Sequence, residues 1–286
     1  MKKILLAGAT GYLGGHILDK LSTSSYDYKV LVRSPGKLDE SLKGTDKVIL
    51  GEVTKKKTLE GCCQDIDIVI SSIGITRQKD GLTYYDVDYQ GNKNLLEEAV
   101  KSGVKKFIYI SALNAPKYRE LKILDAKEKF VDDLKQSGIA YQVIRPNGFY
   151  SDITEIFNMA KNGRVYLLGN GEQLANPISG EDLGEYVLSQ IESSDTDLDI
   201  GGPQVLSQNE IAKLAFDALG KKTRISYMPV GMAKFIIKVL HLFTSMKTYG
   251  PIEFFLTVMT VDMVAPPTGQ ITLGDYFKSL ANKKAP

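Results

Sequence analysis

Sulfur and imidazole are scarce in this chain. Its two cysteines, Cys62 and Cys63, are adjacent, which suits neither a disulfide framework nor a four-ligand zinc site; such usage fits the cytosol. The two histidines, His16 and His241, have no second imidazole near them in sequence, so no metal centre is expected. A surplus of one charge is also missing. Lys and Arg number 36 against 34 Asp and Glu, a net +2. The short basic run Lys55-Lys56-Lys57 has no interleaved aromatics, so no nucleic-acid partner is implied. Nor is there an unbroken apolar run of about 18 residues, which excludes a transmembrane helix. Met1-Lys2-Lys3 before an apolar run imitates the start of a signal peptide, but glycines follow too soon, and a first strand is expected instead.

What is present begins at that strand. Ile4, Leu5 and Leu6 suit a strand buried on both faces, while Tyr12 to Leu21 carries apolar residues at helical spacing. Gly8, Gly11 and Gly14 join the two. Gly8 can turn sharply out of the strand, Gly11 lets a pyrophosphate approach without a Cβ in the way, and Gly14 permits tight helix–strand packing. A glycine-rich turn between strand and helix brings free N–H groups to a phosphate, and points to a dinucleotide.

The second strand is expected over Lys29 to Arg33, ended by Ser34-Pro35-Gly36. An acidic residue at this strand end would accept hydrogen bonds from the ribose hydroxyls of NAD; Arg33 stands there, and its planar fork favours the 2′-phosphate of NADP. Further strands are expected at Lys47 to Leu50, Ile66 to Ser71, Lys105 to Ile110 and Tyr141 to Arg145, the last stopped by Pro146. Helices are expected around Leu59 to Cys63, Val87 to Ser102 and Asp125 to Gln136, with a long polar loop over Thr76 to Thr83. This alternation predicts an α/β fold, a doubly wound parallel Rossmann sheet, over residues 1–150, receiving 179–201 as well. Residues 151–286 then form a smaller, mostly helical substrate lobe. In it Ser179 and Ser207 offer helix N-caps, and Gly220 a stop. Val230 to Phe243 reads as an amphipathic helix with Lys234 and Lys238 on one side; Phe254 to Val264 stays apolar until Pro266-Pro267. A packed helical cap over a substrate cleft is the expectation, with peripheral membrane contact as the alternative.

Five segments together span the chain: Gly8-Ala-Thr-Gly11-Tyr-Leu-Gly14, Val87-Asp-Tyr-Gln-Gly91-Asn92, Phe107-Ile-Tyr-Ile-Ser111, Ile144-Arg-Pro146 and Pro177-Ile-Ser-Gly-Glu-Asp182-Leu. They resemble an atypical, extended member of the short-chain dehydrogenase/reductase superfamily. Asp199-Ile-Gly-Gly-Pro203, the cap helices and Thr272-Leu-Gly-Asp-Tyr-Phe277 look most like the divinyl chlorophyllide 8-vinyl reductase branch. The first two thirds are also similar to NmrA-like regulators and to the nucleotide-binding accessory subunit of respiratory complex I.

The resemblance implies NADP as cofactor, held by Gly8, Thr10, Gly11, Tyr12, Leu13 and Gly14, by Arg33 and Glu52, by Ser72 and Gly74 after the fourth strand, by Lys127, and by Pro146, Asn147 and Phe149 after the sixth. It also implies catalytic roles for Lys127 and Ser111, the serine polarising a carbonyl. In the family a tyrosine four residues before the lysine supplies the proton; Ile123 stands there. Tyr118, nine residues before Lys127, would serve only if the loop folded it back. Two functions are compatible with that gap. One is hydride delivery from NADPH to the C=C bond of an apolar, conjugated small molecule, whose own electron system accommodates the charge. The other is a non-catalytic NADPH-binding structural or sensing module. A monomer or homodimer is expected in either case.

Overall fold

Ile4, Leu5, Leu6 and Ala7 have no solvent exposure at all, as an apolar run covered on both faces requires. They belong to β1 (Lys3–Ala7) in a computed structural model that describes residues 2–76, 78 and 81–282. Residues 77, 79 and 80 of the expected polar loop, and the side chain of Lys234, lie outside the described ones. The other strands are β2 (Asp27–Val32), β3 (Val48–Leu50), β4 (Ile68–Ser71), β5 (Lys106–Ile110), β6 (Ala140–Pro146), β7 (Val165–Leu168), β8 (Leu174–Ala175), β9 (Asp197–Ile200), β10 (Leu206–Ser207) and β11 (Ile225–Met228). The helices are α1 (Tyr12–Ser22), α2 (Asn92–Lys101), α3 (Lys122–Gln136), α4 (Tyr150–Lys161), α5 (Gly180–Ser189), α6 (Gln208–Ala218), α7 (Val230–Phe243), α8 (Met246–Val258) and α9 (Leu273–Asn282).

Seven strands form one sheet in the order β3-β2-β1-β4-β5-β6-β9, and the pairings from β3 through β6 are parallel. The fold is the doubly wound α/β arrangement that the alternation predicts. Strand order reverses between β1 and β4. At such a switch point the connections leave in opposite directions and open a crevice at the carboxyl ends of the strands. On one face Leu5, Val69, Phe107 and Val143 pack with Leu95, Phe130 and the two free cysteines; the cysteines are core residues.

Three local readings change. The links before and after β3 carry only 3-10 turns, Pro35–Lys37 and Lys56–Leu59. A helix over Leu59 to Cys63 does not form, because Gly61 takes φ +78°. The helix expected from Val87 begins as a π-turn at Tyr85–Gly91 and becomes α2.

The chain divides into two compact units, Met1–Arg145 with Leu183–Leu198, and Pro146–Asp182 with Asp199–Pro286. The second has its own core, in which Ile156 and Phe157 of α4 meet Ala212 and Phe216 of α6 and Phe277 of α9. Ser207 caps α6 in a reciprocal box with Glu210, and the Asp182 N–H donates to the Ser179 Oγ at 3.0 Å, so both expected caps are in place. α7 departs from expectation. Ala233 is its buried residue among the described side chains, whereas Phe235, Leu242 and Phe243 are 67%, 78% and 81% exposed.

α1 packs tightly against the end of β1 because of a glycine. A Cβ on Gly14 would fall 2.0 Å from the Gly8 carbonyl oxygen and 2.9 Å from the Ser72 Oγ, whereas one on the adjacent Gly15 would meet only the Ala9 carbonyl oxygen at 3.9 Å. Urea unfolding is therefore expected to show Gly14→Ala losing about 1–3 kcal/mol, the usual cost of overpacking. Gly15→Ala should be neutral or stabilising by up to about 1 kcal/mol. Equal effects would refute the close approach.

Candidate functional site

The turn from β1 into α1 is shaped by glycine. Gly8 takes φ +94°, a region open to glycine without a Cβ penalty, and its carbonyl accepts from the Gly11 N–H at 2.9 Å. Gly11 is the N-cap of α1 and supplies no side-chain oxygen, and no acidic residue stands in the first turn. The positive end of the helix dipole is thus not compensated by an acidic side chain of its own first turn. Gly11 itself is exposed, and a Cβ there would approach only the Gly8 carbonyl oxygen, at 3.3 Å. Nothing packed on it calls for glycine, so the space it keeps open lies on the solvent side. Thr10 is half-buried, and the Tyr12 ring is 40% exposed, edge-on to His16 at 5.1 Å. The Leu13 side chain is buried, leaving its backbone as the part that can face a ligand.

Arg33 and Glu52 emerge at one end of the sheet, since Val32 of β2 pairs with Leu50 of β3. Arg33 is exposed. The Glu52 carboxylate pairs with Lys55 Nζ at 2.7 Å and accepts from the Thr54 Oγ1 at 3.1 Å. Its carboxyl is held below the usual carboxylate range, first by the Lys55 hydrogen bond and in smaller part by Thr54 and the charges of Lys55 and Arg33.

Beyond β4 the chain lines a polar cluster. Ser72 Oγ donates to the Ala7 carbonyl at 3.2 Å, tying β4 to β1 at the switch point. A Cβ on Gly74 would fall 2.6 Å from the Asp88 Oδ1 and 2.7 Å from the Lys127 Nζ. Those two groups form an ion pair at 2.8 Å, with Asp88 fully buried and the Lys127 side chain 13% exposed. The Asp88 Oδ2 also accepts from the Ile75 N–H at 3.1 Å. Asp88 reaches this position from the π-turn, and Asn92 Nδ2 fastens that turn to the end of β4 by donating to the Asp88 carbonyl at 2.9 Å and to that of Ile73 at 3.3 Å. Tyr109 of β5 completes the group, fully buried, with its ring centre 5.8 Å from Lys127 Nζ. Burial pushes the Asp88 carboxyl above its ordinary range, partly offset by Lys127 and the Ile75 amide. Burial pulls the Lys127 ammonium down, but Asp88 and then Tyr109 outweigh it and hold the lysine above its ordinary value. Burial likewise raises the Tyr109 phenol.

The two expected catalytic residues engage different partners, Lys127 with Asp88 and Ser111 with Glu128. Ser111, 5% exposed, donates its hydroxyl proton to the Glu128 Oε1 at 2.9 Å, and Glu128 pairs through Oε2 with Arg145 at 3.3 Å. That bond ties the serine to a network that includes Asp197, 2.6 Å from Arg145. Ile123 is buried on α3. Tyr118 ends a 3-10 turn, its ring 5.4 Å from Lys117 Nζ; the groups acting on Lys127 are Asp88 and Tyr109. Pro146, Asn147 and Phe149 fall in the second unit. Both amide hydrogens of Asn147 are engaged there, with Asn176 Oδ1 at 2.9 Å and the Met263 carbonyl at 2.5 Å, so its side-chain donors brace that unit. Phe149 is half-buried and bridges Ile178.

Sequence reasoning missed Asp88 and Tyr109 as site residues. The available signal was an acid and a phenol set among apolar and aromatic residues, Tyr84, Tyr85, Val87 and Tyr89 around the one and Phe107, Ile108 and Ile110 around the other.

A doubly wound sheet with a glycine-lined helix N-terminus at its switch point defines a dinucleotide-binding protein. A family model described as NAD(P)H-binding matches residues 8–194, and the chain belongs to that family. Among its relatives, divinyl chlorophyllide a 8-vinyl-reductase of Cucumis sativus is 27% identical, over 98% of this chain and 76% of that protein. Photosystem II assembly factor Ycf39 of Synechocystis is 26% identical, over 82% and 73%. In fold, the chain matches the NADPH-dependent quinone oxidoreductase QOR2 of Escherichia coli, solved with NADPH, with a TM-score of 0.73 and 18% identity over 98% of this chain and all of that one. The expected resemblance to the vinyl reductase branch is borne out by these relatives.

The buried pair gives a stability test. Removing one partner of such a pair costs about 3–5 kcal/mol because the other charge stays buried alone. Asp88→Asn should therefore destabilise the protein by about that amount in urea, and adding Lys127→Met should restore most of the loss. A double variant as unstable as the sum of the two single variants would contradict the pairing.

Proposed function

We propose that the chain is an NADPH-dependent oxidoreductase that reduces a C=C bond in an apolar, conjugated small molecule. The observation that carries this is where the hydroxyls around Lys127 stand: Ile123 occupies the family's tyrosine position, Ser111 donates to Glu128, and the Tyr109 phenol beside Lys127 is fully buried, its proton held above the ordinary range by that burial. Alcohol–carbonyl chemistry needs a hydroxyl to exchange a proton with oxygen. A conjugated substrate can spread the developing charge over its own framework.

The residues fit the cofactor. The bare N-terminus of α1, opened by Gly11, would hold the pyrophosphate, and the exposed Arg33 guanidinium would take the 2′-phosphate. When bound, NADPH supplies hydride. Gly74 keeps the backbone beside Lys127 free of a side chain, and the Lys127 ammonium, kept charged by Asp88, would set a positive field near the nicotinamide ribose.

A second reading, an NADPH-binding structural or sensing module, is favoured by the same closed pair. An ammonium held 2.8 Å from a buried carboxylate has less freedom to serve a substrate.

Two experiments test this. Calorimetry should give tighter binding of NADPH than of NADH, with Arg33→Ala narrowing the gap by about 1–3 kcal/mol, the range for charge-assisted contacts; equal affinities in the wild type would refute the 2′-phosphate assignment. NADPH absorbance should fall with bulky conjugated alkenes and barely change with simple aldehydes and ketones. Rapid ketone reduction abolished by Tyr118→Phe would overturn the C=C assignment, and tight NADPH binding without turnover on any alkene would favour the module.

A further inference from the structure

We propose that the α7–α8 hairpin is a docking element that lies in the headgroup layer of an anionic lipid membrane. Met232, Phe235, Val239 and Leu242 follow one another at intervals of three and four, and Phe243 lies four after Val239, which puts the five on one face of α7. That face is turned to solvent: the five are 51%, 67%, 36%, 78% and 81% exposed. On α8, Phe255 is 48% exposed. A soluble protein normally turns such a stripe inward, and an exposed one marks an interaction surface. The hairpin is held by its own contacts. His241 Nε2 lies 3.0 Å from the Glu253 Oε1, and the His241 and Tyr249 ring centres are 4.0 Å apart with the planes tilted by 32°.

Charge selects the occupant. Between residues 230 and 258 the chain carries Lys234, Lys238 and Lys247 against a single acid, Glu253, which His241 engages. Lys238 and Lys247 are exposed. Aromatic and aliphatic side chains on one face with lysines beside them match the boundary between acyl chains and anionic headgroups. A second copy docked patch to patch would set the same cations against each other. Among the described residues no helix is long and apolar enough to cross a membrane, so the helices would lie in the surface rather than span it. This inference does not depend on the cofactor reading.

Flotation of the full chain with vesicles tests it, using phosphatidylcholine alone and phosphatidylcholine mixed with phosphatidylglycerol. The wild type is expected to float with the mixed vesicles, and less as salt is raised. The double variant Leu242→Glu with Phe243→Glu should bind at least about tenfold more weakly, with circular dichroism and NADPH binding unchanged; Lys238→Glu with Lys247→Glu should weaken binding to mixed vesicles as well. Failure of the wild type to float, or undiminished flotation of the Leu242/Phe243 variant, would overturn the proposal. So would a lipid-free dimer that this variant dissociates, which would give the stripe to a second copy.

Discussion

The backbone of Gly8 stands where any side chain on Gly14 would have to go. That close approach, 2.0 Å from carbonyl oxygen to a would-be Cβ, fixes where α1 begins. It brings the N-terminus of the helix to the point where strand order reverses, and Ser72 closes the same spot from the β4 side. A helix docked farther out would leave its N–H groups away from the crevice. The place of this helix N-terminus therefore depends on a packing contact between two glycines.

The polar groups at the ends of β4 and β5 follow a different logic. Burying Asp88 and Lys127 is costly for each alone, and mutual pairing is what makes it tolerable. The pair also joins segments distant in sequence: the Ile75 amide after β4, the π-turn carrying Asp88, and α3 carrying Lys127. Glu128, next to Lys127, does the same for Ser111 and Arg145. Two adjacent residues of α3 thus hold two separate buried ionic networks. Lys127 has its charge kept by an internal partner, and the Ser111 hydroxyl donates to Glu128.

Much of the fold was legible because its signals are local. Apolar runs such as Ile4 to Leu6, the capping serines Ser179 and Ser207 and the stop at Pro146 each act within a few residues, and the sheet follows from their alternation. The ends of the links around β3 were less legible, since a single positive φ at Gly61 decides whether a helix forms. The candidate site was legible where backbone conformation defines it, at Gly8, Gly11 and Gly14. It was not legible where side chains from distant segments meet: Asp88 and Tyr109 become site residues only once β5, the π-turn and α3 are assembled, and Asn147 proves to be spent on Asn176 and Met263. The apolar spacing of α7 was plain, but spacing alone does not say whether a face turns inward or to solvent.

The most direct test is a crystal structure of the chain with NADPH. Density for the pyrophosphate is expected over the first-turn amides of α1 beside Gly11, with the 2′-phosphate within hydrogen-bond reach of Arg33 and the nicotinamide ribose near Lys127. A pyrophosphate bound elsewhere, or an adenosine ribose turned from Arg33 with its hydroxyls held by Glu52, would contradict it.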